Sequence, residues 1–267
     1  MAATQDVLTD LTAEGDALDR MLAGLDPDQW SLATPAPGWT IRHQIAHLTA
    51  TFGLAGLAAS DGEAFTRLIG GLSEDFDANV AAAMAPHLVE PDVLRHRFRE
   101  ARASSIQALA DVPAGQTVPW LVRPLPAPVL AAAGLMELFA HGQDVADALG
   151  VHREYNDSVG HLCFFGARVW DFGYLARGLD VPDIALRFEL TAPSGAVWTF
   201  GPDDAEQRIT GPAVDFALLV ARRRHRDDLS LTATGADADR WLDIAQAYRG
   251  PAGAGRAPGQ FSPLRTA

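Results

Sequence analysis

"MELFAHGQDVADALG", residues 136–150, is a run of alanines and leucines interrupted by Glu137, His141 and Asp144 at intervals of four and three. Alanine and leucine favour a helix, and Gly150 is a natural residue to end one, so a helix is predicted over about 129–149. At about 100° per residue, His141 falls about 40° to one side of Glu137 and Asp144 about 20° to the other. Leu138, Val145 and Leu149 gather beside this polar stripe, not within it. Glu137 and His141 are one turn apart on one face. One helix thereby offers an oxygen and a nitrogen to a single metal ion, with further ligands to come from elsewhere.

The second histidine source is "TIRHQIAHLTATF" (40–52), which carries His43 and His47 one turn apart, away from the apolar stripe of Ile41, Ile45, Leu48 and Phe52. Thr40 is the expected N-cap of this helix, which is predicted over about 41–59. In a helical bundle, metal sites are assembled from side chains on facing helices. One histidine from here, with Glu137 and His141, makes a two-His, one-carboxylate set that leaves a position for water or substrate, as in catalytic sites. On spacing alone the solvated reading is the commoner one: a face of Glu, His and Asp usually meets water, and an i, i+4 histidine pair is often surface decoration.

Around these two helices the first part of the chain reads as helical. "QDVLTDLTAEGDALDRMLAGL" (5–25) and "PDVLRHRFREARASSIQALADV" (91–112) have apolar residues at helical intervals. A further helix is predicted over about 157–178, while "PAGQTVPWLVRPLPAP" (113–128) reads as a loop. Near Pro182 the texture changes. "IALRFELTAP", "GAVWTFGP" and "EQRITGP" alternate apolar and polar residues between Gly/Pro turns and read as strands. A helix "AVDFALLVARRRH", a strand "LSLTATG" and a helix "ADRWLDIAQAY" follow. The expected class is α+β: a helical bundle of four or more helices at 1–180, a small α+β domain with a mostly antiparallel sheet at 181–250, and a C-terminal tail at 251–267.

Composition narrows the partners. The chain has 267 residues, is 48% hydrophobic and carries a formal net charge of −13. Such an acidic chain argues against nucleic acid and against an anionic membrane surface. No apolar run approaches the roughly 20 residues of a membrane span. The opening "MAATQDVLTDLTAEGD" lacks the basic start and apolar core of a secretion signal, so a cytoplasmic location is expected. Cys163 is the one cysteine, which rules out an internal disulfide and a cysteine zinc cluster. Its neighbours in "HLCFFGARVW" read it as buried filler, not a nucleophile. There is no lysine, so every cation other than histidine is arginine and a Schiff base through an enzyme lysine is unavailable. Rich Ala, Gly and Arg without Lys suits a GC-rich, actinobacterial genome. The sequence leaves the oligomeric state open.

The pieces "PAPGWTIRHQIAHL" (35–48), "ELFAHGQDVADALG" (137–150) and "ITGPAVDFALLVARRR" (209–224), in that order, resemble the DinB-like metalloenzyme superfamily, and more closely its mycothiol-dependent maleylpyruvate isomerase family. The resemblance implies a bound divalent metal, usually zinc, on His47, Glu137 and His141. His43 matches no ligand position and is expected to support a ligand or face solvent. Asp144 is expected either to orient His141 or to be a surface acid. The family also has a functional arginine in its C-terminal domain. Arg223 is the nearest match, as catalytic residue, with Arg222 and Arg224 as alternatives for substrate binding, because a guanidinium holds a carboxylate in a bidentate pair. For each one, charge complementing a helix C-terminus is the plainer role. The implied function is a metal-dependent, mycothiol-dependent isomerase or S-transferase acting on a small-molecule substrate, an electrophilic conjugated carbonyl, held in a cleft between the domains. Two alternatives stand beside it. One is a thiol-independent metalloenzyme, a hydrolase or Lewis-acid cyclase. The other is a non-catalytic ligand- or metal-binding protein, since the C-terminal domain resembles sterol-carrier-like folds.

Overall fold

The computed structural model describes residues 2–121, 123–248 and 250–261. The chain divides into two compact units, residues 1–152 and 153–267.

The first unit contains α1 (Ala2–Leu22), α2 (Ile41–Ser60), α3 (Gly62–Ile69), α4 (Phe76–Met84), α5 (Pro91–Ala110), β1 (Thr117–Val118), β2 (Leu125–Pro126) and α6 (Ala127–Leu149). α2 packs against both α5 and α6, and α1 packs against the same two, so α1, α2, α5 and α6 form the bundle. Its core is the apolar stripe of each helix: Leu8, Leu11, Leu18 and Leu22; Ile41, Ile45, Leu48 and Phe52; Leu94, Phe98 and Leu109; Leu130, Leu135, Leu138 and Val145, all buried. Each such side chain contributes roughly 1.5–3 kcal/mol on leaving water. α6 runs deepest, with fourteen of its residues buried, and ends at Gly150 in the left-handed region, φ 65°, where a Cβ is costly.

α3 and α4 were not anticipated from the sequence. Each starts at an aspartate whose side chain accepts a backbone N–H, Ala64 N to Asp61 (2.9 Å) and Ala78 N to Asp75 (3.0 Å), and these caps were the signal available. The predicted loop at 113–128 holds a short antiparallel ribbon, β1 against β2.

The second unit contains α7 (Val159–Arg168), α8 (Phe172–Leu175), β3 (Leu186–Thr191), β4 (Val197–Phe200), β5 (Gln207–Pro212), α9 (Ala213–Val220), β6 (Thr232–Thr234) and α10 (Ala236–Ile244). The sheet order is β4-β3-β5-β6. β4 and β6 pair antiparallel with their neighbours, while the central β3–β5 pair is parallel. The fold class is therefore α+β with a mixed sheet. In its core Phe216 stacks on Trp241, and Phe188 meets both rings edge-on.

Two sequence expectations change here. The division falls before Arg153, not near residue 180, because α7 and α8 pack with the sheet unit. The single helix predicted over 157–178 is broken at residues 169–171. The Trp170 carbonyl accepts the Trp241 indole N–H (2.8 Å) instead of continuing the helical ladder. A Cβ at Gly173 would collide with the Ile244 carbonyl, so only glycine lets α8 approach α10 this closely. The expected tail is only partly described. Up to residue 261 it belongs to the second unit, with Gly259 N donating to the Asp228 carboxylate at 2.8 and 3.0 Å; residues 262–267 lie outside the described residues.

The α1–α5 seam is polar and specific. Asp19 accepts from Arg95 (2.7 and 3.0 Å) and Arg99 (2.9 Å), and buried Arg102 reaches Asp16 across a helix surface left open at Gly15. A Cβ at Gly15 would overlap the Arg102 Cδ and guanidinium. Gly15→Ala is expected to expel Arg102 and lower stability by about 2 kcal/mol, read by chemical denaturation. Burial pushes the Asp19 carboxyl up, but the hydrogen bonds and charge of Arg95 and Arg99 outweigh it and hold it below the ordinary value. Its stabilisation is thus complete above the unfolded-chain value near 4 and is lost as pH falls through the lower folded value. The melting-temperature gap between wild type and Asp19→Asn should be widest above pH 5 and should close at lower pH.

Candidate metal centre

The residues that converge lie on α2 and α6, within the first unit. His47 Nε2 and His141 Nε2 each sit 3.2 Å from the same atom, Oε2 of Glu137. The ligand atoms of His47, Glu137 and His141 all lie within 4.8 Å of one another, the one such group of His, Cys, Asp or Glu among the described residues. All three side chains are half-buried. The imidazole rings lie 4.6 Å apart between centroids. Burial pushes the Glu137 carboxyl up, yet hydrogen bonds and charge from His141 and His47 outweigh it and hold it well below the ordinary carboxylate range. Two imidazole nitrogens and one carboxylate oxygen on a shared focus are a donor set that fits a divalent ion such as zinc.

The surroundings are built by the loop before α2. Thr34 N donates to the Trp39 carbonyl (2.8 Å) and Ala33 bridges to Thr40, so residues 33–40 close on themselves, with Gly38 at φ 76° in the turn. This closure sets the Trp39 indole over both imidazoles, nearly parallel to His141 (5.8 Å, 16°) and tilted to His47 (5.3 Å). Thr51 Oγ1 lies 3.4 Å from His47 Nε2. On His141, Nδ1 is hydrogen-bonded to the amide oxygen of Gln44, a fully buried residue of α2. Gln44 Nε2 in turn donates to Thr34 Oγ1 (2.8 Å).

His43 is used at the start of α2. Its Nδ1 accepts from Thr40 N (3.3 Å) and contacts Thr40 Oγ1 (2.8 Å), doing for the helix what a glutamate does in a capping box. Asp144 is fully buried on α6, one turn beyond His141, so it is not the surface acid that one reading expected.

Arg222, Arg223 and Arg224 follow α9 in the second unit. Arg222 N donates to Leu219 O and Arg223 N to Leu218 O, both 2.8 Å, with Arg222 at φ 56°. This is the glycine-favoured left-handed turn that ends a helix, here occupied by arginine. It stops the helix at Val220, five residues short of the stretch that was predicted to be helical. Arg222 donates to Gly253 O (3.3 Å), Arg223 to Ala221 O (2.7 Å), and Arg224 lies over the Phe261 ring (4.8 Å). Cys163 is fully buried, as its setting implied, and burial pushes its thiol far above the ordinary range.

Trp39, Gln44, Thr34 and Thr51 were missed by the sequence reading. The available signal was a glutamine on the edge of an otherwise apolar stripe, one turn before His47.

A helical bundle that presents two imidazoles and a carboxylate from facing helices, followed along the chain by an α+β unit, defines the class. Residues 11–146, about half of the chain, match the family model described as the mycothiol maleylpyruvate isomerase N-terminal domain, and the chain belongs to that family. Residues 182–234 match a second model, described as wyosine base formation. Two uncharacterized proteins from two strains of Mycobacterium tuberculosis are 41% identical to it over 263 residues, 96% of this chain and all of theirs. Among solved structures, a crystal structure of the mycothiol-dependent maleylpyruvate isomerase superposes with a TM-score of 0.57, and a histidine-to-alanine mutant of it with 0.56. In each comparison 86% of this chain and 92% of the other are covered at 19% identity, which is likeness of fold. No helix among the described residues is long and apolar enough to cross a membrane.

An ion arriving beside the Trp39 indole perturbs its emission. Titrating metal-free protein with zinc should change tryptophan fluorescence in wild type, and Trp39→Phe should remove most of that change although five tryptophans remain.

Proposed function

We propose that the protein is a cytoplasmic, zinc-dependent enzyme that uses an external low-molecular-weight thiol, mycothiol, either to isomerise a small substrate with a carbon conjugated to a carbonyl or to become attached to that carbon through its sulfur. The observation that carries this reading is the shared focus of His47 Nε2, His141 Nε2 and Glu137 Oε2. These three residues would hold the ion. When bound, it supplies positive charge that keeps a coordinating thiol deprotonated at neutral pH.

The chain's own residues set the rest. As a carboxylate, Glu137 would bring one negative charge against the two neutral imidazoles that ligation requires. Trp39 walls one side of the imidazole pair. Neither a lysine nor an accessible cysteine is at hand to attack the substrate, because lysine is absent from the chain and the Cys163 thiol is sealed in the second unit's core. An attacking thiol would therefore come from a cosubstrate. Its thiolate adds to the electrophilic carbon and converts the double bond to a single bond. After rotation, expulsion of the thiolate restores the double bond in the other geometry; protonation of the adduct instead leaves the sulfur on the substrate. Arg223 is the proposed catalytic group for a substrate carboxylate, with Arg222 and Arg224 as neighbouring binding groups.

The family match and the fold likeness to the mycothiol-dependent maleylpyruvate isomerase support thiol use. Purified wild type should carry about one zinc per chain by elemental analysis, and His47→Ala and Glu137→Ala should each retain almost none. Turnover of a maleylpyruvate-like electrophile should require added thiol. Stoichiometric zinc in both variants would refute the ligand set, and turnover without thiol would refute the cosubstrate.

A further inference from the structure

Gln44 is the one fully buried side-chain amide of α2, and its orientation is determined by its neighbours. Thr34 Oγ1 donates its single proton to the Trp39 carbonyl (3.0 Å). Toward Gln44 that hydroxyl can then only accept. The atom facing it at 2.8 Å must be the amide nitrogen, Nε2. The amide oxygen is thereby turned to Nδ1 of His141. An amide oxygen has no proton to give, so Nδ1 must carry one. In the neutral ring that metal ligation requires, the lone pair is then on Nε2, where an ion would take the place of the proton that Nε2 otherwise shares with Glu137 at 3.2 Å.

We infer that Gln44 is a positioning residue for the metal site. Acting through His141 and itself oriented by Thr34, it fixes the imidazole in the tautomer whose Nε2 is a ligand. This rests on the reading of His47, Glu137 and His141 as a zinc site. The hydrogen bond supplies the partner on the far nitrogen that metal-bound histidines ordinarily have. Here a neutral amide provides it, where a carboxylate would add a second negative charge behind the ring. Trp39 restrains the same ring from its face, so one loop restrains His141 by stacking and, through Thr34 and Gln44, by hydrogen bonding.

The test is zinc affinity, measured by competition with a chromogenic chelator, with unfolding midpoints of the metal-free proteins recorded in parallel. Proton–nitrogen correlation spectra of the zinc-loaded protein read the imidazole Nδ1–H directly. Gln44→Leu keeps the volume and removes the acceptor; it should weaken zinc binding by about ten- to hundred-fold and abolish the protected Nδ1–H signal. Gln44→Glu keeps an acceptor oxygen and should remain within about threefold of wild type, with the signal retained. Thr34→Val frees the amide to turn and should cost roughly threefold or more. Because Thr34 acts through Gln44, the double variant Gln44→Leu/Thr34→Val should bind no more weakly than Gln44→Leu alone.

Wild-type affinity in Gln44→Leu, equal losses in Gln44→Leu and Gln44→Glu, or multiplying losses in the double variant would each overturn the assignment. If Gln44→Leu does not fold, Thr34→Val decides, and wild-type affinity with an unchanged spectrum in that variant overturns it. His47→Ala separates the two readings. Undiminished zinc binding there sinks the site itself, whereas its loss there with none in Gln44→Leu sinks only the role of Gln44.

Discussion

Two imidazoles aimed at one carboxylate oxygen form an arrangement that neither helix can hold alone. Glu137 and His141 share a face of α6 by virtue of spacing, but His47 reaches the same atom only because α2 lies directly against α6. The apolar stripes of the two helices do that work. Ile41, Ile45 and Leu48 on one, and Leu138 and Val145 on the other, are removed from water beside the polar cluster. Bringing three polar groups together in a half-buried seam is unfavourable by itself. The burial around them fixes the seam, and the mutual hydrogen bonds offset the desolvation.

The polar layer continues outward from that seam in a definite order. His141 leans on Gln44, Gln44 on Thr34, and Thr34 on the backbone of its own loop. Each group in this series has a donor matched to an acceptor, which is the condition under which buried polar groups specify a structure instead of weakening it. The second unit uses a different device. Its arginines after α9 are engaged with backbone carbonyls and an aromatic ring, and the left-handed turn at Arg222 sets where the helix stops.

Much of this was legible in the sequence, for physical reasons. The strongly periodic helices were found with their boundaries nearly right, including the cap at Thr40 and the stop at Gly150, because period and caps are local properties. The convergence of Glu137 and His141 follows from helical spacing alone. Singling out His47 over His43 needed the family resemblance, since both share a face, and the structure uses His43 to cap the helix. What was lost was non-local. The break between α7 and α8 goes with the Trp170 carbonyl accepting from an indole seventy-one residues later in the chain, that of Trp241. The parallel pairing of β3 with β5 passes over the intervening β4. Gln44 belongs to the site through Thr34 and His141, ten and ninety-seven positions away, and neither distance has a period.

The loop at 33–40 touches the imidazole of His141 twice, by a ring at one end and through an amide at the other. Its length is therefore tied to the orientation of a ligand. The segment from Ser60 to Phe76, by contrast, supplies no side chain to the centre. An insertion in the second region leaves the contacts of His141 with Trp39 and Gln44 in place. In the first region a single inserted residue shifts the indole or the hydroxyl and releases the histidine. Variation in chain length, as opposed to variation in residue type, should accordingly mark where the centre is anchored.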